Sequence, residues 1–321
     1  MDDETVKTTS FCKVPLNIIS KYGNELPFDI YLKLSESKYV KLVQKDGNVI
    51  DTVSKYNAKG VESVYTTKED FATFINQLNN SFTSKFFDPN VSTEQSVSTL
   101  SDGYEVVQES LQKLGISQST ANFAKEITKQ SISLISQQPN IFKFFQEFKS
   151  KCSEAYLLNM LVAYTTTCML DTFDWTTHAI KEKMNLSVML RDILLNKDDL
   201  IQLKEHRNNI GELSGKIIEH PRKMAEMIEN DKNTFLPKEV AVIIEQHHES
   251  PDGKGFPRGI GHSKITVLSA IQIVGDDFID RMVQFNFDLK MKNEILNALS
   301  TKYNQGNFRK AMDALKMMFH A

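Results

Sequence analysis

The chain has 321 residues, of which 38 are Lys or Arg and 41 are Asp or Glu, so its formal net charge is −3. A chain of this length commonly forms about two domains, and the near-neutral charge argues against a polynucleotide partner. The sequence has no apolar run of about 18 residues, which argues against a membrane partner, and its three cysteines show no paired spacing. Together with an acidic start to the chain, these features predict a cytoplasmic protein.

The strand signals lie in the first part of the chain. Residues 28–34 and 39–43 alternate apolar and polar side chains on either side of a Ser-Glu-Ser turn, which predicts a β-hairpin. Residues 61–65 predict a third strand, and a helix is predicted to begin at residues 67–70. We therefore predict a small α+β module over residues 1–87, with a regulatory or partner-binding role because it contains no catalytic combination of residues.

The composition changes twice after this module. Residues 88–102 are rich in Ser, Thr, Pro, Asn and Gln, which predicts a linker over residues 88–103. From residue 104 onward, apolar side chains recur at the helical period and strand signals almost vanish. The predicted fold class is therefore an α+β N-terminal module followed by an all-α helical domain over residues 104–321.

The histidines are concentrated in the helical part of the chain, five of the seven between residues 206 and 262. His247 and His248 end an apolar helical stretch, and the following Asp-Gly-Lys-Gly favours unwinding that would direct both rings into one pocket. Neutral imidazoles bind transition metals, so these residues are candidate ligands, with a solvated helix end as the alternative. His220 precedes Pro221, which we place in the first turn of a helix, so that His220 lies near the helix start.

Candidate acids also occur in apolar surroundings. The Arg191-Asp192 pair lies in an apolar helical context, and Asp276 follows a strongly apolar stretch. Buried charges need a counter-charge or a metal ion. These three residues therefore join the histidines as candidates for one polar site.

The segment HHESPDGKGFPRGI, followed by the apolar LSAIQIVGDDF, resembles the HD-GYP signature of cyclic di-GMP phosphodiesterases in the HD superfamily. The resemblance covers about residues 150–300. It implies an HD-type helical fold, a divalent transition metal of the Fe, Mn or Zn class, and action on cyclic di-GMP or a related dinucleotide. The residues at the pattern positions are His220, Pro221, His247, His248, Glu249, Asp252, Gly253, Gly255, Pro257, Gly259 and Asp276.

The sequence departs from the family pattern at four places. Arg191 stands where the family has the histidine of the His-Asp doublet, and no histidine lies near Asn159, where the family has an earlier ligand. Leu195 replaces a lysine and Phe256 replaces the tyrosine of the signature. The resemblance implies two metal ions, and this chain keeps a nearly complete ligand set for only one of them.

The implied ligands divide between the two ions. Asp192, His220, His247 and His248 would hold one ion, whereas the other would keep only Asp192 and Asp276. We therefore predict one ion in preference to two, and impaired catalysis. Our hypothesis is that the Arg191 guanidinium occupies the space of the lost ion and pairs with Asp276, or with Asp192.

Two cations of the glycine-rich loop, Lys254 and Arg258, are candidates for binding ligand phosphates, with an exposed basic loop as the alternative. His178 could replace a lost ligand, although a structural role is the simpler interpretation. A second function hypothesis is a catalytically inactive sensor of a cyclic dinucleotide, or a signalling module that binds a protein partner. That partner would contact the Gly-Phe-Pro loop or the N-terminal module.

Overall fold

The computed structural model describes residues 11–22, 26, 28–35, 38–47, 49–86, 91–138, 140–206, 209–233 and 235–319. The chain divides into two compact units, residues 1–127 and residues 128–321. The division falls inside a helix, α5 (Gln118–Ser136). Each unit is described separately below.

The N-terminal unit is built on a four-stranded antiparallel sheet with the strand order β1-β4-β2-β3. Buried apolar side chains of its strands and helices form the core, among them Val14, Ile30, Val64 and Phe74. Its elements are β1 (Phe11–Pro15), α1 (Leu16–Tyr22), β2 (Ile30–Ser35), β3 (Lys38–Val43), α2 (Ile50–Asn57), β4 (Ser63–Thr67), α3 (Lys68–Phe86), α4 (Thr93–Lys113) and the first part of α5.

The sheet confirms the predicted hairpin and the predicted α+β class. β2 and β3 pair antiparallel, and β4 and α3 follow within two residues of their predicted positions, while residues 36 and 37 of the predicted turn lie outside the described residues. Sequence reasoning missed β1, a five-residue strand that ends in Pro15. Such a strand gives little alternation to detect, and its pairing with β4 at the far end of the module is not visible locally.

The predicted linker over residues 88–103 is corrected by α4, which contains residues 93–103. The Ser92 side chain accepts a hydrogen bond from the Gln95 backbone N–H, and the Gln95 side chain accepts from the Ser92 N–H, so a capping box begins the helix. Val97 and Leu100 of this helix are buried within the N-terminal unit. The polar composition therefore reflects a helix start and an exposed helix face, and the compact unit extends to residue 127.

The regular secondary structure of the C-terminal unit is helical within its described residues. Serine and threonine side chains cap several of these helices, as Ser153 does for α7 and Thr266 for α12. The elements after α5 are α6 (Ile141–Phe148), α7 (Glu154–Leu170), α8 (His178–Leu190), α9 (Lys197–His206), a 3-10 turn (Ile210–Glu212), α10 (Gly215–Glu229), α11 (Lys238–Gln246), α12 (Val267–Gln284), a second 3-10 turn (Leu289–Met291), α13 (Lys292–Lys302) and α14 (Gly306–Met317).

The centre of this unit is α8, which packs against α7, α11 and α12, while α10 packs along α11. Fully buried side chains fill these contacts, including Met160, Met184, Ile243 and Ile271. The ends of α8 and α11 and the middle of α10 carry the polar site described below. Within the described ranges, the helices are too short or too polar for one of them to cross a lipid bilayer.

The prediction that Pro221 lies in a first helical turn is wrong. α10 begins at Gly215, where the Ser214 side chain caps it, and it continues through Pro221 to Glu229. His220 is therefore in the interior of the helix and is 1 % exposed. Proline is tolerated there although it has no N–H to donate to the Ile217 carbonyl. That carbonyl accepts from His220 Nδ1 instead.

Candidate metal centre

Four side chains from three parts of the helical unit point at one position. They are Asp192, His220, His247 and His248, and their candidate ligand atoms all lie within 4.8 Å of one another. Asp192 lies in the turn that follows α8, where its carbonyl accepts from the Leu195 N–H at 2.9 Å. His220 comes from α10, and the two adjacent histidines come from the end of α11.

The distances among these four side chains are those expected around a shared cation. Asp192 Oδ1 lies 3.1 Å from His220 Nε2, 3.3 Å from His247 Nε2 and 3.6 Å from His248 Nε2. Ligand atoms bound at about 2.0–2.1 Å to one tetrahedral ion lie about 3.3 Å apart. The three distances from Asp192 Oδ1 are therefore close to the spacing of a ligand set.

The hydrogen bonds of the rings explain why Nε2 faces the carboxylate. His220 Nδ1 lies 2.5 Å from the Ile217 carbonyl oxygen, and His247 Nδ1 lies 2.6 Å from the Ile244 carbonyl oxygen. A carbonyl only accepts, so each Nδ1 carries the proton and donates it. In the neutral ring, Nε2 then presents a lone pair inward, as the second-shell bonds of metal-binding histidines require.

The electrostatics favour a cation between these groups. Burial lowers the pKa of His247, although Asp192 opposes the shift, and burial together with His247 lowers the pKa of His248 well below its usual range. Burial would raise the pKa of Asp192, but the three imidazoles hold it well below its usual range. The cluster thus joins an ionised carboxylate to imidazoles whose Nε2 atoms lie within hydrogen-bonding distance of it, and a divalent ion could take the place of these Nε2 protons.

His248 provides a separate test of the fit. Its Nε2 is buried, its side chain is 7 % exposed, and among the residues that the structure describes no group lies within hydrogen-bonding distance of this nitrogen, the Asp192 oxygen being 3.6 Å away. A buried polar atom without a partner costs free energy unless something absent from the protein chain binds it. With two imidazoles of fixed tautomer and one carboxylate beside it, the donor set fits a divalent ion of the Fe, Mn or Zn class.

Arg191 connects the two acids that sequence reasoning assigned to the site. Its Nη2 donates to Asp276 Oδ1 at 2.7 Å, and its Nε donates to Asp192 Oδ2 at 3.1 Å. The arginine side chain is 6 % exposed and that of Asp276 is 10 % exposed. Both pairings considered from the sequence are therefore present together. Asp276, predicted as a ligand, is not among the four clustered residues and instead binds the guanidinium.

A second contact lies one helical turn away between the same two helices. Ser187, four residues before Arg191, donates from Oγ to Gln272 Oε1 at 2.9 Å. Gln272 is four residues before Asp276, and both Ser187 and Gln272 are fully buried. Residues four apart lie on the same helix face. The two contacts therefore fix one register of α8 against α12.

The loop after His248 is folded back onto the end of α11 by Glu249. This buried carboxylate accepts from the Arg258 N–H at 2.8 Å and from the Ile260 N–H at 2.9 Å, while burial raises its pKa. Gly255 passes so close to the helix end that a Cβ there would lie 2.4 Å from the His248 carbonyl oxygen. Only glycine allows this approach of two backbone segments.

Phe256 closes the centre with an apolar cluster. Its ring lies 4.5 Å from the His248 ring, nearly parallel to it, and Phe256 is 5 % exposed. It packs with buried apolar side chains of the region after α8, namely Leu195, Leu203, Leu213 and Ile217. The phenyl ring is therefore a wall of the centre and is not displayed for docking, so a partner of the Gly-Phe-Pro loop would have to contact its exposed residues.

The predicted phosphate-binding cations lie on the surface of the loop. The Lys254 side chain is 85 % exposed and its Nζ is 3.8 Å from Asp252, whereas Arg258 is 53 % exposed and pairs with Glu245 at 3.1 Å. His178 pairs with Glu182 on the surface and His206 pairs with Glu212. Neither histidine belongs to the four-residue cluster.

Comparison with known proteins identifies the region that holds this centre. A family model described as an HD domain matches residues 148–301. These residues are an HD domain. An HD domain is a metal-dependent hydrolase scaffold of the HD superfamily, and the loop after His248 resembles the HD-GYP signature.

The fold of the chain resembles that of Bd1817, an HDG"Y"P protein from Bdellovibrio bacteriovorus, with a TM-score of 0.58. The two chains are 14% identical, and the match covers 97% of this chain and 100% of that one. A comparison with curated proteins gave no match. The HD domain therefore has a recognised fold, while its ligand must be inferred from its own residues.

Two features of this HD domain were beyond sequence reasoning. The sequence showed Asp276 and Asp277 as neighbouring acids, and only the structure shows that Asp277 has other partners, the Tyr303 hydroxyl and Lys302 Nζ, both at 2.8 Å. The role of Glu249 in holding the loop was also missed. The signal that could have found it is a carboxylate directly before a glycine-rich loop, whose free N–H groups need acceptors.

Proposed function

We propose that this protein binds cyclic di-GMP or a related dinucleotide at a one-metal HD centre and hydrolyses it slowly or not at all. The observation that carries the proposal is the convergence of Asp192 with three imidazoles of inward-facing Nε2, beside an arginine that engages Asp276. The ligand class comes from the resemblance to the HD-GYP signature. A metal ion at this centre would supply Lewis acidity toward a phosphodiester.

The residues of the chain divide the remaining tasks. Asp192, His220, His247 and His248 hold the ion, with the ring tautomers fixed by backbone carbonyls. Lys254, on the exposed loop, offers a cation to a ligand phosphate. Phe256 and its apolar neighbours exclude water from one side of the histidines.

Impaired catalysis follows from what Arg191 can and cannot do. Its guanidinium lies between the carboxylates of Asp192 and Asp276 and offsets one of their two negative charges, where a second metal ion would offset both. An arginine cannot lower the pKa of a bound water in the way that a metal ion does. Within the described residues, the four-residue group is the metal-binding cluster that the geometry supports. One ion beside an arginine therefore favours binding over turnover.

The second candidate function, an inactive sensor of the dinucleotide, is favoured by the same ion pair. Arg191 is held by two carboxylates and buried, so the second cation position is filled by the protein itself. A sensor requires binding without rapid destruction of the ligand. Signalling through the N-terminal module or through exposed loop residues would then report the bound state.

The test uses the full chain loaded with Mn²⁺, Fe²⁺ or Zn²⁺ and incubated with cyclic di-GMP, with chromatography for products and calorimetry for binding. We expect metal-dependent binding that Asp192→Asn abolishes, and little or no product. The control Asp171→Asn changes an exposed carboxylate in the same unit and leaves binding intact. Rapid multiple turnover refutes the impairment, and absence of binding in every metal form refutes the dinucleotide assignment.

A variant that restores histidines separates missing ligands from other causes of impairment. Arg191→His combined with Asn159→His places imidazoles at the two positions where the family pattern has them. Asn159 is buried in α7, so the new ring would lie inside the domain. If the missing ligands limit catalysis, this variant gains metal and hydrolysis. Gain of a second ion without hydrolysis would place the limit elsewhere, for instance at Leu195.

A further inference from the structure

The position of Pro221 inside α10 has a direct effect on the hydrogen bonds of that helix. In an α-helix, the N–H of each residue donates to the carbonyl four residues earlier, so residue 221 would serve the carbonyl of Ile217. Proline has no N–H, and the helix nevertheless continues for two turns beyond it. The Ile217 carbonyl therefore lacks its normal helical donor in the middle of a helix.

This carbonyl lies in a buried environment. Ile217 is fully buried and His220 is 1 % exposed. A buried carbonyl without a donor is costly. The His220 ring supplies the donor, since its Nδ1 lies 2.5 Å from the Ile217 oxygen. The proline and the histidine are thus complementary, because one removes a backbone donor and the other provides a side-chain donor.

The other histidine of fixed tautomer makes the same three-residue contact without a proline. His247 Nδ1 donates to the carbonyl of Ile244 at 2.6 Å. α11 ends at Gln246, so the Ile244 carbonyl has no helical donor four residues later, and its backbone bond is a long one from the His247 N–H at 3.4 Å. Helix termination therefore frees the acceptor for His247. His220 lies in a helix that continues, so only a residue without an N–H can free the acceptor there.

We infer that Pro221 is a positioning residue for the metal centre: by leaving the Ile217 carbonyl to His220 Nδ1, it keeps Nδ1 as the outward donor and directs Nε2 at the ligand cluster beside Asp192. The inference rests on the proposed metal site. It concerns a residue that touches neither the ion nor the ligand. An amide N–H at position 221 would compete for the same carbonyl and release the ring.

The variant Pro221→Ala tests this inference because its two effects have opposite signs. Alanine restores the helical N–H, so we expect the melting temperature to stay the same or rise. The affinity for Mn²⁺, measured by calorimetry on the full chain, should fall by about 10-fold, the usual effect of losing a second-shell contact. Pro237→Ala is the matched control, because Pro237 lies before the first turn of α11 and frees no helical carbonyl.

A tautomer measurement on the metal-free chain gives an independent result. Imidazole nitrogen NMR, with His220→Gln to assign the signal, should show a hydrogen-bonded N–H at His220 Nδ1 in the wild type and a weakened or lost N–H there in Pro221→Ala, whatever proton Nε2 carries beside Asp192. An unchanged Nδ1–H together with Mn²⁺ affinity within twofold of wild type overturns the inference. If the wild type binds no divalent ion, the proposed function fails, and the tautomer measurement still decides the role of Pro221.

Discussion

Glu249→Gln is the perturbation that isolates what holds the loop beside the metal centre. The two carboxylate oxygens of Glu249 accept from the N–H groups of Arg258 and Ile260 at 2.8 and 2.9 Å. Glutamine keeps the shape but offers one carbonyl oxygen, so its amide NH₂ must face one of these donors. One charge-assisted bond is lost and one buried N–H is left without an acceptor.

The magnitude follows from the burial of the group. A hydrogen bond to a charged group contributes about 1.5–3 kcal/mol to stability. Burial raises the pKa of Glu249, which shows that the charged form bears a desolvation cost, and this cost offsets part of the gain. We expect Glu249→Gln to lower the free energy of unfolding by about 2 kcal/mol, which corresponds to a melting temperature lower by roughly 4–8 °C for a unit of this size.

The assay uses denaturant unfolding followed by the fluorescence of Trp175, the only tryptophan of the sequence, which lies in the helical unit. The matched control is Glu245→Gln, the same chemical change four residues earlier. Glu245 pairs with the half-exposed Arg258 side chain at 3.1 Å, so its loss should cost less than about 1 kcal/mol. Equal effects of the two variants, or no effect of Glu249→Gln, would refute the assigned role of Glu249.

Three further predictions concern the same region. Gly255→Ala places a methyl group 2.4 Å from a backbone oxygen and should lower the free energy of unfolding by about 1–3 kcal/mol. Gly261→Ala is the control, because the nearest atom to its new methyl group is 3.5 Å away, and it should be nearly neutral. Similar melting temperatures of the two variants would contradict this prediction. Phe256→Ala opens a cavity beside His248 and should cost about 3–5 kcal/mol in denaturant unfolding, and a loss under 1 kcal/mol would argue against the apolar wall. Burial lowers the pKa of His247 and His248, so the unfolded chain takes up protons before the folded chain as the pH falls below about 6.5. The melting temperature of the metal-free protein should therefore be lower at pH 5.5 than at pH 7.5. This difference between the two melting temperatures should shrink in His248→Gln.

Sequence reasoning located the elements whose signals are local. The hairpin and the helical class were predicted because alternation and helical periodicity are properties of short segments. The strand β1 and the start of α4 were not predicted. β1 is a strand because it pairs with β4, and the polar residues of α4 form a capping box and an exposed helix face. Composition alone therefore misplaced the linker.

The candidate site shows the same division between local and long-range information. The identities of Asp192, His220, His247 and His248 could be chosen from spacing and resemblance, and the structure brings all four together. The separation of Asp276 from these four residues could not be predicted, because it depends on the register of α8 against α12. The helical position of His220 was also missed, since proline more often begins a helix than interrupts one.

The account depends most on one divalent ion bound by Asp192 and the three histidines, with Arg191 in place of a second ion. Counting bound Mn²⁺ by electron paramagnetic resonance during titration of the metal-free full chain tests this directly. We predict one tightly bound ion per chain without magnetic coupling to a neighbour, and its loss in Asp192→Asn. Two coupled ions per chain, or tight binding that survives Asp192→Asn, would contradict the account.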